Sequence, residues 1–462
     1  MLWKGLVAYV VLLPIMVLKG VPVVGSKIQL SDFVFLAPCV ALWTSVRHGA
    51  FRLHWTPLMS ALTFLIGVSA LSALASGLGN TSVLEVVAFG YVACVYLVVV
   101  NAVRTWPQWL TLIDIWVATS SVVAVLGIIG VVLASGGIVT PFAVYYPYFY
   151  AIRKQPFWVA TSTFLASPTP NMVYGYLHLG FFLTLGLLVS ALRRTRRSWH
   201  LVALIMHLVA ILFAYSRGWL ALLVGGFVFL WQFRSRAIMA LSHVVFLLLL
   251  LAAVSIEDLS IYNIARVSIT VHDAPAALLP HERSQAYPYL QPDVSIQQVR
   301  IEATYAPFSR LYLYRAALKM FRERPWLGIG PGNFSEELYR RQAQQGESWE
   351  GLRVTAPWDP HSTYFGALAE LGLLGCAAVV IVFGLAVWQI LHAMRSAGAV
   401  PYTALLWSLL SGLVGYIVYA IDVDILTTRW FWFTVALGGC AWVLTRATPS
   451  LGTGTSCVRT TV

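Results

Sequence analysis

The chain has 462 residues, 59% of them hydrophobic and only 10% charged, and carries a formal net charge of +12. An ordinary soluble domain is roughly one quarter charged, so a soluble enzyme is excluded. Apolar runs of about 20 residues recur from end to end, each enough to cross a hydrocarbon core of ~30 Å as a helix, which marks an integral membrane protein. The runs are continuously apolar and do not alternate as barrel strands do.

In chain order, twelve spans are predicted, near residues 5–18, 32–46, 57–76, 83–103, 109–134, 170–192, 199–215, 218–232, 238–254, 362–391, 401–421 and 430–446. The first is read as a retained span and not as a signal peptide, because it lacks a clear small-x-small cleavage site and the next span follows closely. The expected fold class is an all-α integral membrane protein. Spans one to nine lie within residues 1–254, a long outer loop occupies 255–361, spans ten to twelve lie within 362–446, and a cytoplasmic tail follows at 447–462.

Orientation follows from the basic residues. With a cytoplasmic N-terminus, thirteen Arg and Lys fall in inner loops, Arg193, Arg194, Arg196 and Arg197 among them, and six in the short outer loops. The positive-inside rule then places both ends in the cytoplasm. The remaining 11 of the 30 basic residues share the 255–361 segment with 12 of the 18 acids, so that loop is nearly neutral and the net +12 belongs to the membrane part and its inner fringe. The charge reflects topology, and no nucleic-acid partner is expected. The five cysteines, Cys39, Cys94, Cys376, Cys440 and Cys457, show neither metal-ligand nor CxxC spacing.

Two outer segments interrupt the spans. The first, about 135–168, is aromatic and proline-rich (PFAVYYPYFYAIRKQPFW) and reads as an interfacial belt, with a sugar-stacking or lipid-guiding surface as the alternative. The second is the long loop, whose length calls for a small folded element. Its first half (HDAPAALLPHERSQAYPYLQPDVS) reads as irregular, and its second half holds SRLYLYRAALKMFRERP, a helix over 309–325 with Ser309 as N-cap and Pro325 as stop. Leu311, Tyr314, Leu318 and Phe321 form its apolar stripe, and Arg315, Lys319 and Arg322 a separate polar face. LGIGPGNF at 327–334 follows, with Gly328, Gly330 and Gly332 alternating. It reads either as an anion-binding nest or as a tight turn packing a helix onto the membrane domain, and it is not a Walker A loop.

Chemistry in a membrane protein is best sought among the polar residues that the bilayer makes expensive. Arg217, in AYSRGWLALL, sits at a corner between two spans on the outer side. His361, in WDPHSTY, begins the tenth span from that same side, with Ser362, Thr363 and Tyr364 after it. Histidine's unperturbed pKa near ~6.5 suits proton transfer. Glu370 lies about 13 Å deeper on the opposite side of an ideal helix, so a buried structural contact is expected of it. Guanidiniums bind phosphate oxygens bidentately, so Arg217, Arg310 or Arg315, and His361 suggest transfer from a lipid-linked diphosphate. Asp422-Val423-Asp424 looks like a DxD metal motif, but it falls outside and flanks Arg429, and a charge partner at the rim is the expected reading.

These residues match a family. The chain resembles the O-antigen ligase and polymerase superfamily through SRG at 216–218, SRLYLYRAALKMFRERPWLGIGPGNF at 309–334, PHSTYFGALAELGLLG at 360–375, and the many-span layout with one long outer loop late in the chain. Arg310 best matches the arginine that opens the family's loop helix, with Arg315 the other candidate. His361 matches the family's histidine, and Ser362 stands where Asn commonly follows it.

The resemblance implies a bacterial inner-membrane enzyme with its site facing the periplasm. Its donor is an undecaprenyl-diphosphate-linked glycan, its acceptor lipid A core or a growing glycan, and it works among membrane lipid without metal or cofactor, by an inverting displacement. By that likeness Arg217 and Arg310 bind the diphosphate and His361 is the general base, with Arg315, Arg429 and Tyr364 as substrate-binding residues. O-antigen ligation is the simplest reading. A polymerase of the same superfamily, a protein O-oligosaccharyltransferase and, in a different class, a flippase or transporter are the alternatives.

Overall fold

A computed structural model describes residues 1–15, 29–49, 51–135, 143–145, 159–161, 170–214, 218–233, 265–271, 290–295, 298–305, 309–345 and 359–447. Among these residues are thirteen α-helices: α1 (Leu2–Leu12), α2 (Leu30–Arg47), α3 (Pro57–Ala75), α4 (Asn80–Ala102), α5 (Trp106–Ser135), α6 (Pro170–Val189), α7 (Arg197–Phe213), α8 (Trp219–Leu230), α9 (Ser309–Glu323), α10 (Phe334–Gln345), α11 (Thr363–Met394), α12 (Thr403–Tyr419) and α13 (Arg429–Ala447). Seven of the helices are long and apolar enough to cross a membrane, and α1, α7 and α8 are shorter apolar helices. The protein is a multi-pass membrane protein. The predicted ninth span, 238–254, lies outside the described residues.

Sequence-local signals set the helix starts. Thr56 caps α3 through the Met59 amide with Pro57 at the first position, and Gln29 and Asp32 form a capping box at α2. Phe33, Leu36, Val40 and Trp43 on α2 and Val122, Ile129 and Val132 on α5 remain exposed, the arrangement of a bundle whose outer surface meets lipid. Inside, α12 packs against α6 and α8, and α13 against α4 and α11. Trp116 stacks on Phe433 at 4.8 Å, and Trp109 donates to the Leu437 carbonyl at 3.0 Å.

The elements expected on the outer side gather at one end of the bundle. The α3–α4 turn meets the 327–334 loop, where Thr81 and Ser82 donate to Asn333 Oδ1 at 2.8 and 3.2 Å. The α12–α13 connection meets the start of α11, where the Thr363 amide donates to the Ala420 carbonyl at 2.9 Å.

The loop regions differ from expectation in two respects. A three-stranded antiparallel sheet, ordered β3 (Ala265–Val271), β5 (Gln298–Tyr305), β4 (Leu290–Ser295), runs through a stretch partly read as irregular. Earlier, β1 (Ala143–Tyr145) pairs with β2 (Val159–Thr161). The helix over 309–325 is present as α9, but its buried stripe is Leu313, Ala317 and Met320, and Leu318 is exposed. Small residues at 316 and 317 let α9 lie close against α11, which shifts the buried face off Leu318 while Tyr314 still packs on α11 through Phe365. Lys319 and Arg322 are exposed with Arg315, as expected.

Candidate active site

The site is built around the start of α11. Ser362 caps that helix by accepting from the Phe365 amide at 3.4 Å, and it donates to the Ala420 carbonyl at 3.4 Å. The hydroxyl therefore serves the backbone at the position where the family commonly has Asn. Thr363 Oγ1 accepts from the Ile425 amide at 3.0 Å and contacts Asp424 Oδ1 at 3.2 Å. These bonds fix the α11 terminus against the α12–α13 connection and leave His361 just outside it, with a side chain 35% exposed.

His361 adopts φ = 49°, a left-handed conformation uncommon for a side chain of this size. What holds it there is Asp359. Asp359 Oδ1 accepts from the His361 amide at 2.9 Å, closing an Asx turn, and stands 2.8 Å from His361 Nδ1. One carboxylate thus sets both backbone and ring, leaving Nε2 as the ring nitrogen not facing it. The sequence reading missed Asp359. The signal was present as Asp-Pro-His, an Asx-turn pattern with an ionisable third residue.

α9 docks at this rim through Tyr314. Tyr314 donates to the Ile421 carbonyl at 2.9 Å and its ring stacks on Phe365 at 4.3 Å, 14° from parallel. Arg315 is the next residue and exposed. Arg310 lies in the first turn of the same helix, and its side chain is outside the described set, as is Arg217 altogether. Gly218, which follows Arg217, is described. Its carbonyl accepts from Tyr174, whose hydroxyl also meets His178 Nδ1 at 2.8 Å.

Two expected substrate-binding side chains are already engaged. Tyr364 donates to the Ile417 carbonyl at 2.8 Å. Arg429 forks onto Asp32 at 2.7 and 2.5 Å, with both side chains largely enclosed, and Tyr91 donates to the same carboxylate at 2.6 Å. Asp32 of α2 is therefore a charge partner of Arg429. Asp424 accepts from the Leu426 amide at 3.1 Å as well as meeting Thr363. Burial pushes its carboxyl up to about 6, with the Asp359 and Glu85 charges adding to the rise and the Leu426 and Thr363 hydrogen bonds opposing it.

The glycine run forms a nest, and the group that fills it is internal. Gly328, Gly330 and Gly332 all have positive φ. The Glu370 carboxylate accepts from the Gly332 and Phe334 amides at 2.9 and 3.0 Å, so the buried structural contact expected of Glu370 is with this loop. α11 is broken at Gly372 (φ 66°, ψ −160°), and the loop repairs the break. Ile329 and Gly330 amides donate to the Ala369 and Glu370 carbonyls at 2.9 and 3.0 Å, and the Leu373 amide donates to the Pro325 carbonyl at 2.7 Å. A backbone polar group freed within a membrane helix has to find such a partner.

A helical multi-pass membrane protein with polar groups gathered at one end is the class that fold and site define. Within it, residues 201–380 match the family model described as O-antigen ligase. The match spans less than half of the chain and takes in α7, the 216–218 corner, α9, the glycine loop and His361, as the sequence resemblance does. Residues 201–380 are thus similar to the O-antigen ligase family, whose proteins are lipid-linked glycan transferases. No curated protein matches the chain.

Proposed function

We propose that the chain transfers a glycan from an undecaprenyl-diphosphate carrier to an acceptor hydroxyl at the periplasmic face of the bacterial inner membrane, most simply as O-antigen ligation to lipid A core. The observation that supports this reading is the docking of α9, the helix that carries Arg310 and Arg315, through Tyr314 onto Ile421 and onto Phe365 in the first turn of α11.

In this reading His361 Nε2 takes the acceptor's proton while Asp359 holds Nδ1. The acceptor oxygen forms a bond to the anomeric carbon from the face opposite the diphosphate. The carbon–oxygen bond to the diphosphate breaks, its electron pair stays on the phosphate oxygen, and configuration inverts. Arg217 and Arg310, with Arg315 beside them, neutralise the charge that grows on that leaving group. No step requires a metal.

The test is transfer by purified protein from a lipid-linked glycan to lipid A core, to a shorter glycan and to a peptide, each with and without chelator. Transfer to core that survives chelation and is lost in His361→Ala supports the reading. Transfer to glycan alone makes the protein a polymerase, and transfer to peptide a protein O-oligosaccharyltransferase. A carrier that crosses the bilayer without any transfer would assign it to the flippases.

A further inference from the structure

A cleft of about 350 Å³ opens between the end of α9, one face of α10 and the α3–α4 turn. That volume falls within the range of ~300–1,000 Å³ typical of small-molecule sites. Part of its lining is an ion-pair network. Arg341 forks onto both Glu323 oxygens at 2.7 and 2.5 Å and reaches Glu337 at 2.7 Å, and Arg340 closes on Glu337 at 2.7 and 2.8 Å. The Arg341 side chain is only 9% exposed, and its hydrogen bonds hold the Glu323 carboxyl below the usual range. Arg324 and Glu336 line the same cleft, are exposed, and form no ion pair among the described residues.

The lining therefore holds equal numbers of guanidiniums and carboxylates, three of each. A phosphate gains nothing from a wall whose charges cancel. A saccharide hydroxyl gains twice, because it donates to a carboxylate and accepts from a guanidinium, and charge-assisted bonds are the strong ones. The network pre-sets the wall, and Arg324 and Glu336 supply one group of each kind. Glu323 follows Tyr314 by nine residues, so the cleft sits roughly 14 Å along α9 from the His361 rim, a distance that a few linked sugar rings span.

Resting on the glycan-transfer reading above, we propose that this cleft is a saccharide subsite that holds the neutral sugar chain of a substrate while its reacting end lies at His361. It makes the transferase sensitive to glycan length, and Glu336 and Arg324 are specificity residues.

The experiment uses full-length protein in lipid nanodiscs, as wild type, Glu336→Gln and Arg324→Gln, both at exposed positions. One series compares undecaprenyl-diphosphate donors bearing one sugar or a whole repeat unit, and a second compares acceptors of one sugar or several. The wild type is expected to favour the longer substrate in one series, which identifies whether donor or acceptor fills the cleft. Each variant is expected to shrink that preference about tenfold, the loss of one charge-assisted hydrogen bond, and added inorganic phosphate to leave it unchanged. Equal preference in wild type and variants in both series overturns the subsite and leaves glycan transfer standing. Phosphate that abolishes the preference overturns its saccharide assignment. No transfer from any donor by the wild type overturns both readings.

Discussion

Asp359 Oδ1 lies 2.8 Å from His361 Nδ1 and 2.9 Å from the His361 amide, so one carboxylate oxygen fixes the turn and aims the ring. If His361 is the base, its removal costs the share of rate that proton transfer supplies. His361→Ala is expected to lower kcat by roughly 10²–10⁴-fold. Asp359→Asn keeps an acceptor for the amide but loses the carboxylate charge, and a loss of up to about 100-fold is expected from misorientation. Steady-state kinetics of both variants, with circular dichroism to show that they fold, decide the matter. Full turnover in His361→Ala removes the base.

The same two residues show how far the sequence could be read. Span edges were legible because the bilayer forces long apolar runs, and α3, α6, α11 and α13 begin and end within a few residues of expectation. His361 and the arginines stood out as candidates because charge at a membrane edge is conspicuous. Pairings distant in sequence were not. Asp32 and Arg429 are 397 residues apart, and nothing local announces their bond. The glycine run announced a nest but not its occupant, since Glu370 reaches it only because α11 breaks at Gly372. The buried face of α9 was misassigned because bulk suggested Leu318, whereas close approach to α11 selected Ala317.

Tyr314 holds α9 at the rim by one hydrogen bond and one ring stack. Tyr314→Phe loses the bond and keeps the stack, and Tyr314→Ala loses both. Since a net hydrogen bond is worth about 1 kcal/mol, the donor KM is expected to rise several-fold in the phenylalanine variant and further in the alanine variant. The melting temperature should change little. Unchanged donor KM in both variants would separate α9 from substrate binding.

Glu370 and Gly372 join the loop to the broken helix. Glu370→Ala leaves the Gly332 and Phe334 amides without their acceptor, at about 1–3 kcal/mol for each donor left unsatisfied. Gly372→Ala adds a Cβ 2.4 Å from the Trp326 carbonyl carbon at a backbone φ of 66°, which no rotamer relieves. Both variants are expected to unfold at lower temperature in detergent than the wild type, and Glu370→Gln, which retains one acceptor oxygen, to fall between Glu370→Ala and wild type. An intermediate variant as damaged as the alanine would point to lost charge and not to lost hydrogen bonds.

Arg429 and Asp32 separate a structural role from substrate binding. Their side chains are 14% and 16% exposed, so removing one partner strands the other, at about 3–5 kcal/mol for a buried pair. Arg429→Ala and Asp32→Ala are each expected to destabilise by that order, and the double variant by less than their sum. If Arg429 instead grips the diphosphate, the double variant recovers stability but not activity. Thermal unfolding and turnover measured on the same four proteins distinguish the two.

Asp424 links stability at the rim to pH. Burial raises its carboxyl to about 6 in the folded chain, against ~3.9 in an unfolded one. The folded state therefore holds the proton more tightly. The stability it gains from that proton is complete below about pH 4 and is lost as pH rises through about 6. Asp424→Asn keeps an Oδ1 acceptor for the Leu426 amide and Thr363 while removing the buried charge. It is expected to melt higher than the wild type at pH 7.5, with the difference closing as the pH approaches 4. A stability gap of equal size at both pH values would show that the effect comes from packing around the side chain and not from its titration.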